Sequence, residues 1–340
     1  MKTWLRGALK LGIQVLLIGL ATVALLEALL LFSFRYPTLS PIPKPVLQHL
    51  HVLFVRNTIQ VMPACARYDD TLTYTLKPGS CVFSNTEYSN EYSINSLGVR
   101  DDEAALDKPE TVVLGDSIAM GWGVEQHEAF PKVYERITGS RTLNAGISSY
   151  GTARELMLLE RIDRSALKHL IIQYHENDFA ENKQFASGEW RTLSREQYQA
   201  TVQKHAEMQR YFPGKHTINM LVLLRNAVVG ASATGANSAA ASRSWEEEAE
   251  IFLQVLSLSP VELAAYDITV IALETEFIDA AKDLASRSSL QPILGLRFID
   301  AGFLYDIPGA FYMLDDHPTA SGQAAMARTI SDTRRTFSRN

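Results

Sequence analysis

Apolar positions along this chain fall into three regimes. Residues 11–34 are almost continuously apolar, broken only by Gln14 and Glu27. As a helix, these 24 residues are long enough to cross a hydrocarbon core of roughly 30 Å. Between residues 68 and 95 apolar and polar residues alternate, with Pro78-Gly79 and asparagine turn signals between them, which predicts short antiparallel strands. From residue 109 onward, short β-branched runs alternate with stretches of helical period. The runs 111–114, 141–144, 169–174, 268–273 and 297–299 read as strands. The stretches 128–138, 152–164, 194–211, 245–256 and 276–286 read as helices, with a last one over 320–337. Strand and helix in strict alternation predict an α/β fold, a parallel sheet of about five strands covered on both faces.

One insertion breaks the rhythm, at 179–265 between the third and fourth strands. It carries Phe179, Phe185, Trp190, Tyr198, Tyr211 and Phe212, and an Ala/Ser/Gly tract at 230–244 expected to be a mobile loop. Such an insertion lines a cleft, closes as a lid, or packs as an appendage; the pattern leaves all three open. The expected organisation is a tip and transmembrane segment over 1–36, a Pro-rich stiff spacer over 37–59, a small β-rich extension over 60–108 and the α/β domain over 109–340.

Charge orients the apolar run. Lys2, Arg6 and Lys10 precede it and Arg35 follows, so the positive-inside bias puts the tip in the cytoplasm and the rest outside. An uncleaved signal anchor in the inner membrane, with the domain in the periplasm, is expected over a cleaved signal peptide, because no small-x-small site follows the run. Glu27 is read as lying near the outer end of the span and reaching water or a partner helix. A net charge of -6 and a pI near 5.8 exclude the basic face of a nucleic-acid binder. Cys65 and Cys81 are the only cysteines, sixteen residues apart. In an oxidising compartment they are expected to form a disulfide closing a loop worth about 3 kcal/mol. Two cysteines without nearby histidines fall short of a metal site, so no metal is expected.

The chemistry gathers at the predicted strand ends. Gly115-Asp116-Ser117 follows the first strand, and alone it reads as a helix cap. Asn144-Ala145-Gly146-Ile147-Ser148-Ser149 follows the second, His175-Glu176-Asn177-Asp178 the third, and Asp315-Asp316-His317 opens the last helix. Parallel strands deliver these to one sheet edge, and a serine, an asparagine and a histidine with a preceding carboxylate are the parts of an acyl-transfer site. His49, His51, His127, His169, His205 and His216 lack such company and receive no role.

Four blocks in this order resemble the SGNH/GDSL hydrolase family, over residues 110–335 with the insertion outside the motifs. The resemblance implies a flavodoxin-like three-layer α/β/α fold without a cofactor. It implies Ser117 as nucleophile, His317 as general base, and an oxyanion hole from the Ser117 N–H, a second-block N–H and the Asn177 side chain. Three departures stand out. Ser149 occupies the second block's usual glycine, with Gly146 as the other candidate donor, and His175 replaces a glycine of the third block. Leu314 stands where the last block has aspartate; an Asp-x-His spacing, seen in extracytoplasmic polysaccharide O-acetylation proteins similar to this family, picks Asp315 over Asp316. Three functions follow: a serine esterase for acyl-ester substrates such as acylated envelope glycans, an O-acyltransferase with the same triad, or a non-catalytic envelope binding protein.

Overall fold

The computed structural model describes residues 2–233, 244–288 and 294–337. The chain divides into two compact units. The first is drawn from Met1–Arg56, Ala206–Ala241 and Met313–Asp315, the second from Asn57–His205, Ser242–Tyr312 and Asp316–Asn340.

In the first unit the apolar run forms α1 (Lys2–Arg35). Its portion Arg6–Arg35 is long and apolar enough to cross a membrane. The expected stiff spacer is not extended throughout, because it contains α2 (Lys44–Phe54). Pro45 starts this helix instead of breaking it, since the first turn needs no N–H from it. Leu47, Leu50 and His51 then fall on one helical face and are buried. A further helix, α8 in chain order (Lys215–Ala233), completes the unit. It takes in residues 230–233 of the tract expected to be a loop; positions 234–243 lie outside the described residues.

The second unit begins with the extension. Two antiparallel pairs, β1 (Ala66–Asp69) with β2 (Thr73–Leu76) and β3 (Gly79–Ser84) with β4 (Ser89–Ile94), match its alternating pattern. Cys65 and Cys81 are joined by a disulfide, with Cα atoms 5.4 Å apart. Their cluster, with Phe83 and Tyr92, continues into Met120 and Trp122. The extension therefore shares a core with the segment that follows the Gly-Asp-Ser turn.

The sheet consists of β5 (Thr111–Leu114), β6 (Thr142–Asn144), β7 (His169–Tyr174), β8 (Asp267–Ala272) and β9 (Arg297–Asp300). All pairs are parallel, in the order β6-β5-β7-β8-β9, which is the flavodoxin-like arrangement. The two-residue period of the strands assigns the faces. Val112 and Leu114, Leu170 and Ile172, and Ile268 and Val270 enter one cluster with Leu156, Phe252 and Phe277. Val113, Ile171 and Ile271 enter another with Phe130, Tyr134 and Ile330. These outer residues come from α5 (Thr152–Leu159), α9 (Trp245–Ser257) and α10 (Thr275–Arg287) on one side, and from α4 (Phe130–Thr138) and α11 (Ala320–Phe337) on the other. α3 is the short Ser117–Met120.

α5 stops five residues before the expected 164, because the Arg164 guanidinium takes the Leu159 carbonyl at 2.6 Å. The insertion supplies α6 (Phe179–Ala186) and α7 (Arg195–Gln209). Of its aromatics, Tyr198 is core, stacked against Tyr74 at 6.3 Å.

Candidate active site

The sheet order reverses at β5, and the crevice beside its carboxyl end is where open α/β folds gather ligands. Gly115 leaves the strand at φ +152°, where a Cβ would stand 2.7 Å from both Ala119 Cβ and Gln173 Oε1. Glycine is therefore required. Gln173, buried on β7, accepts the N–H groups of Asp116 at 3.2 Å and Ala119 at 3.0 Å. Asp116 caps α3 by accepting the Ile118 N–H at 2.9 Å. Behind the helix, buried Arg100 donates to the carbonyls of Met120 and Val124, at 3.2 and 2.7 Å, and lies over the Tyr92 ring. These contacts leave Ser117, 6% exposed, at the helix start.

His317 Nε2 lies 2.8 Å from Ser117 Oγ, two hundred residues apart in sequence. The Trp122 ring stacks on the imidazole at 4.6 Å between centroids and 16° between planes. This face-on contact fixes the plane of the imidazole. The loop carrying His317 is tied back by the Tyr312 N–H to the His317 carbonyl at 3.1 Å, and by the Tyr312 hydroxyl to Gly123 O at 2.6 Å. His317 Nδ1 is 3.4 Å from Asp316 Oδ1, although the Asp316 side chain is 68% exposed. Asp315 is fully buried, and its Oδ1 lies 3.5 Å from Arg56 Nη1.

The third block reaches Asp116, the serine's neighbour in sequence. Asn177 Nδ2 donates to Asp116 Oδ2 at 3.0 Å, so the aspartate that caps α3 also fixes the amide plane. Asp178, next in the chain, accepts from the Thr152 hydroxyl at 3.1 Å. His175 accepts the Asn177 backbone N–H at Nδ1, 3.4 Å away, and its Nε2 is 3.6 Å from Glu274 Oε1. It thus braces the third block.

In the second block, Gly146 spends its N–H on the Asn144 side chain at 3.0 Å. Ser149 stands at φ +60°, which explains why glycine is usual there; among the described residues its N–H makes no hydrogen bond. The Ser148-Ser149 turn is clamped from three sides. Gln60 Nε2 donates to Ser149 Oγ at 2.9 Å and Gln60 Oε1 accepts the Ser148 hydroxyl at 3.3 Å. The Tyr74 hydroxyl bonds Ser148 O, and Arg154, ion-paired with Glu181, donates to Ser149 O at 3.0 Å. A cavity of about 410 Å³ opens at Ser149, with Gln60, Tyr74, Arg154, Trp190 and Tyr198 in its lining.

Beneath the site, Glu155 and Asp178 are wholly buried. Burial first, then the Asp116 carboxylate for Glu155 and the Glu155 and Asp116 carboxylates for Asp178, pushes both carboxyls well above the usual range. The pair is therefore held largely protonated. Sequence reading missed Gln60, Trp122, Gln173 and Arg154. Trp122 carried a signal, an aromatic five residues past the serine, whereas nothing local marks Gln60, 89 residues from Ser149.

No family model matches the chain, and no curated protein matches its sequence. Some solved structures are similar to part of the chain. One is a Desulfitobacterium hafniense protein described as lipolytic and of the G-D-S-L family, 14% identical, covering 66% of this chain and 98% of its own, with a TM-score of 0.35. Another is an extracellular lipase from Streptomyces rimosus, 14% identical, with coverages of 66% and 98% and a TM-score of 0.34. A third is a family 2 carbohydrate esterase with its carbohydrate-binding domain, from Corynascus thermopiles, 14% identical, with coverages of 66% and 65% and a TM-score of 0.34.

Proposed function

We propose that this protein is a serine esterase of the SGNH type. The observation that carries the proposal is the 2.8 Å contact of His317 Nε2 with Ser117 Oγ, at the sheet's switch point. A neutral imidazole takes the Ser117 proton as Oγ attacks the acyl carbon. The oxyanion draws hydrogen bonds from the N–H groups of Ser117 and Ser149 and from Asn177 Nδ2. Collapse expels the alcohol, which takes the proton from His317, and leaves an acyl-serine. Water, deprotonated by the same imidazole, then releases the acid.

Asp315 is the orienting carboxylate in this reading. It is buried, compensated by Arg56, and two residues before the histidine. Asp316, solvent-screened, is the alternative. For the substrate we favour an O-acylated glycan, supported by a cavity that combines aromatic faces at Trp190 and Tyr198 with the polar Gln60 and Arg154. If a sugar hydroxyl in that cavity intercepts the acyl-serine before water, the same groups make an O-acyltransferase. The domain is assigned to the periplasmic side of the inner membrane, from Lys2, Arg6 and Lys10 ahead of the apolar run.

A fluorophosphonate probe should label the folded parent at Ser117 and leave Ser117→Ala untouched. Ser117→Ala and His317→Ala should each abolish turnover of p-nitrophenyl acetate while the protein stays folded. An unlabelled, folded parent would return the chain to a binding role.

A further inference from the structure

α1 carries one ionisable side chain within its apolar run, and what surrounds it leads beyond the anchor. Glu27 is 6% exposed, and its carboxylate accepts the backbone N–H groups of His216 and Thr217, at 3.2 and 2.8 Å, and the Thr217 hydroxyl at 2.9 Å. These belong to the first turn of α8, where unbonded N–H groups and the positive end of the helix dipole favour an anion. A carboxylate that would be costly in lipid therefore caps a second helix.

The chain before α8 reaches deeper still, since a Cβ on Gly214 would meet Val23 Cγ1 at 3.6 Å. Farther along α8, Met220 and Leu223 pack on Leu30, Phe34, Leu47 and Leu50. α8 thus starts at the level of Val23 to Glu27 and runs beside α1 in the same direction. Arg35 lies eight residues past Glu27 and Arg225 eight past Thr217, so both helices bring an arginine to one level. Twenty helical residues counted back from Phe34, where the apolar run ends, begin at Val15, which puts Glu27 and Val23 roughly 10–17 Å inside an apolar slab, with Leu221 and Leu224, four and seven residues past Thr217, between Glu27 and its outer edge.

The distribution of side chains at this depth is the reverse of a water-soluble surface. Lys215 is buried, its Nζ on the Met208 carbonyl at 2.7 Å, and Thr217 is buried on Glu27. Facing outward are Tyr211, Phe212, Ile218, Leu221 and Leu224, each between 48% and 59% exposed.

We propose that the segment from Tyr211 to Leu224 is immersed in the bilayer beside the anchor helix, its outward apolar face covered by lipid acyl chains. The proposal rests on α1 spanning the membrane. Both native cysteines are in the disulfide, so a single introduced thiol labels cleanly without reductant. The full chain would be reconstituted into phosphatidylethanolamine and phosphatidylglycerol vesicles, with nitrobenzoxadiazole at Leu17→Cys, Leu221→Cys or, independently, Leu224→Cys. The labels at 221 and 224 should be quenched by nitroxide lipids, as at 17, and iodide quenching should fall several-fold below that of labelled glutathione. Labels at both α8 positions that iodide reaches freely, with the Leu17 label lipid-quenched, would overturn immersion and leave the anchor intact. A Leu17 label untouched by nitroxide lipid would remove the anchor and the proposal together. Labels at 221 and 224 shielded from both quenchers would overturn a lipid cover in favour of a protein contact.

Discussion

Replacing Gln60 by alanine should slow turnover of a small reporter ester, which does not fill the cavity, with little effect on its binding. The change removes two hydrogen bonds, at 2.9 Å to Ser149 Oγ and 3.3 Å to Ser148 Oγ. Neutral bonds of this kind contribute about 0.5–1.5 kcal/mol each. They oppose the preference of Ser149 to leave φ +60°, a region that costs an L-residue roughly 1–2 kcal/mol. Staple and strain are thus of similar size, and without Gln60 the turn should spend much of its time with the Ser149 N–H turned away. Complete loss of one oxyanion donor costs about 10²–10³ in turnover, so partial loss should lower kcat roughly tenfold. Steady-state hydrolysis of p-nitrophenyl acetate measures this, with KM expected to change by less than about twofold. Glycine occupies positive φ without strain, so adding Ser149→Gly to Gln60→Ala should restore much of the lost kcat. A Gln60→Ala enzyme with parental kcat, or a double variant with no recovery, would refute the reasoning.

Other perturbations test separate groups. Of Asp315→Ala and Asp316→Ala, the former should lose the more turnover, about 10⁴-fold if it holds the histidine tautomer; a larger loss at Asp316 would reassign the acid. Trp122→Leu should retain Ser117 reactivity toward fluorophosphonate but lower kcat for p-nitrophenyl acetate several-fold with little change in KM, because the ring face that holds the imidazole plane is gone; an unchanged kcat would refute this. Glu155→Gln should stabilise the fold at neutral pH. The folded-state pKa of Glu155 is raised above its unfolded value of 4.5, so the parent is at full stability below 4.5 and loses stability as pH rises toward the folded pKa. The advantage of glutamine in thermal melts should therefore grow as pH rises from 4.5 and vanish below it.

Much of the fold was legible because it rests on local periodicity. Thr111–Leu114 and His169–Tyr174 form strands at the bounds their apolar runs predict, and α11 occupies the predicted 320–337. α2 within the Pro-rich 37–59 stretch was not legible, because the burial of its Leu47, Leu50, His51 face depends on contacts distant in sequence.

The sequence by itself determined the residue types and the order in which strands deliver them, and so the pairing of Ser117 with His317 as a question worth asking. Composition also determined the 24-residue apolar run. Only the tertiary structure decided which groups hold the chemistry in place. Gln60 meets Ser149 across 89 residues, Trp122 meets His317 across a chain reversal, and Glu27 meets the first turn of α8 across 190. Hydrogen bonds and ring stacking act over about 3 to 5 Å whatever the separation along the chain, and one sequence carries no record of which distant residues close that gap.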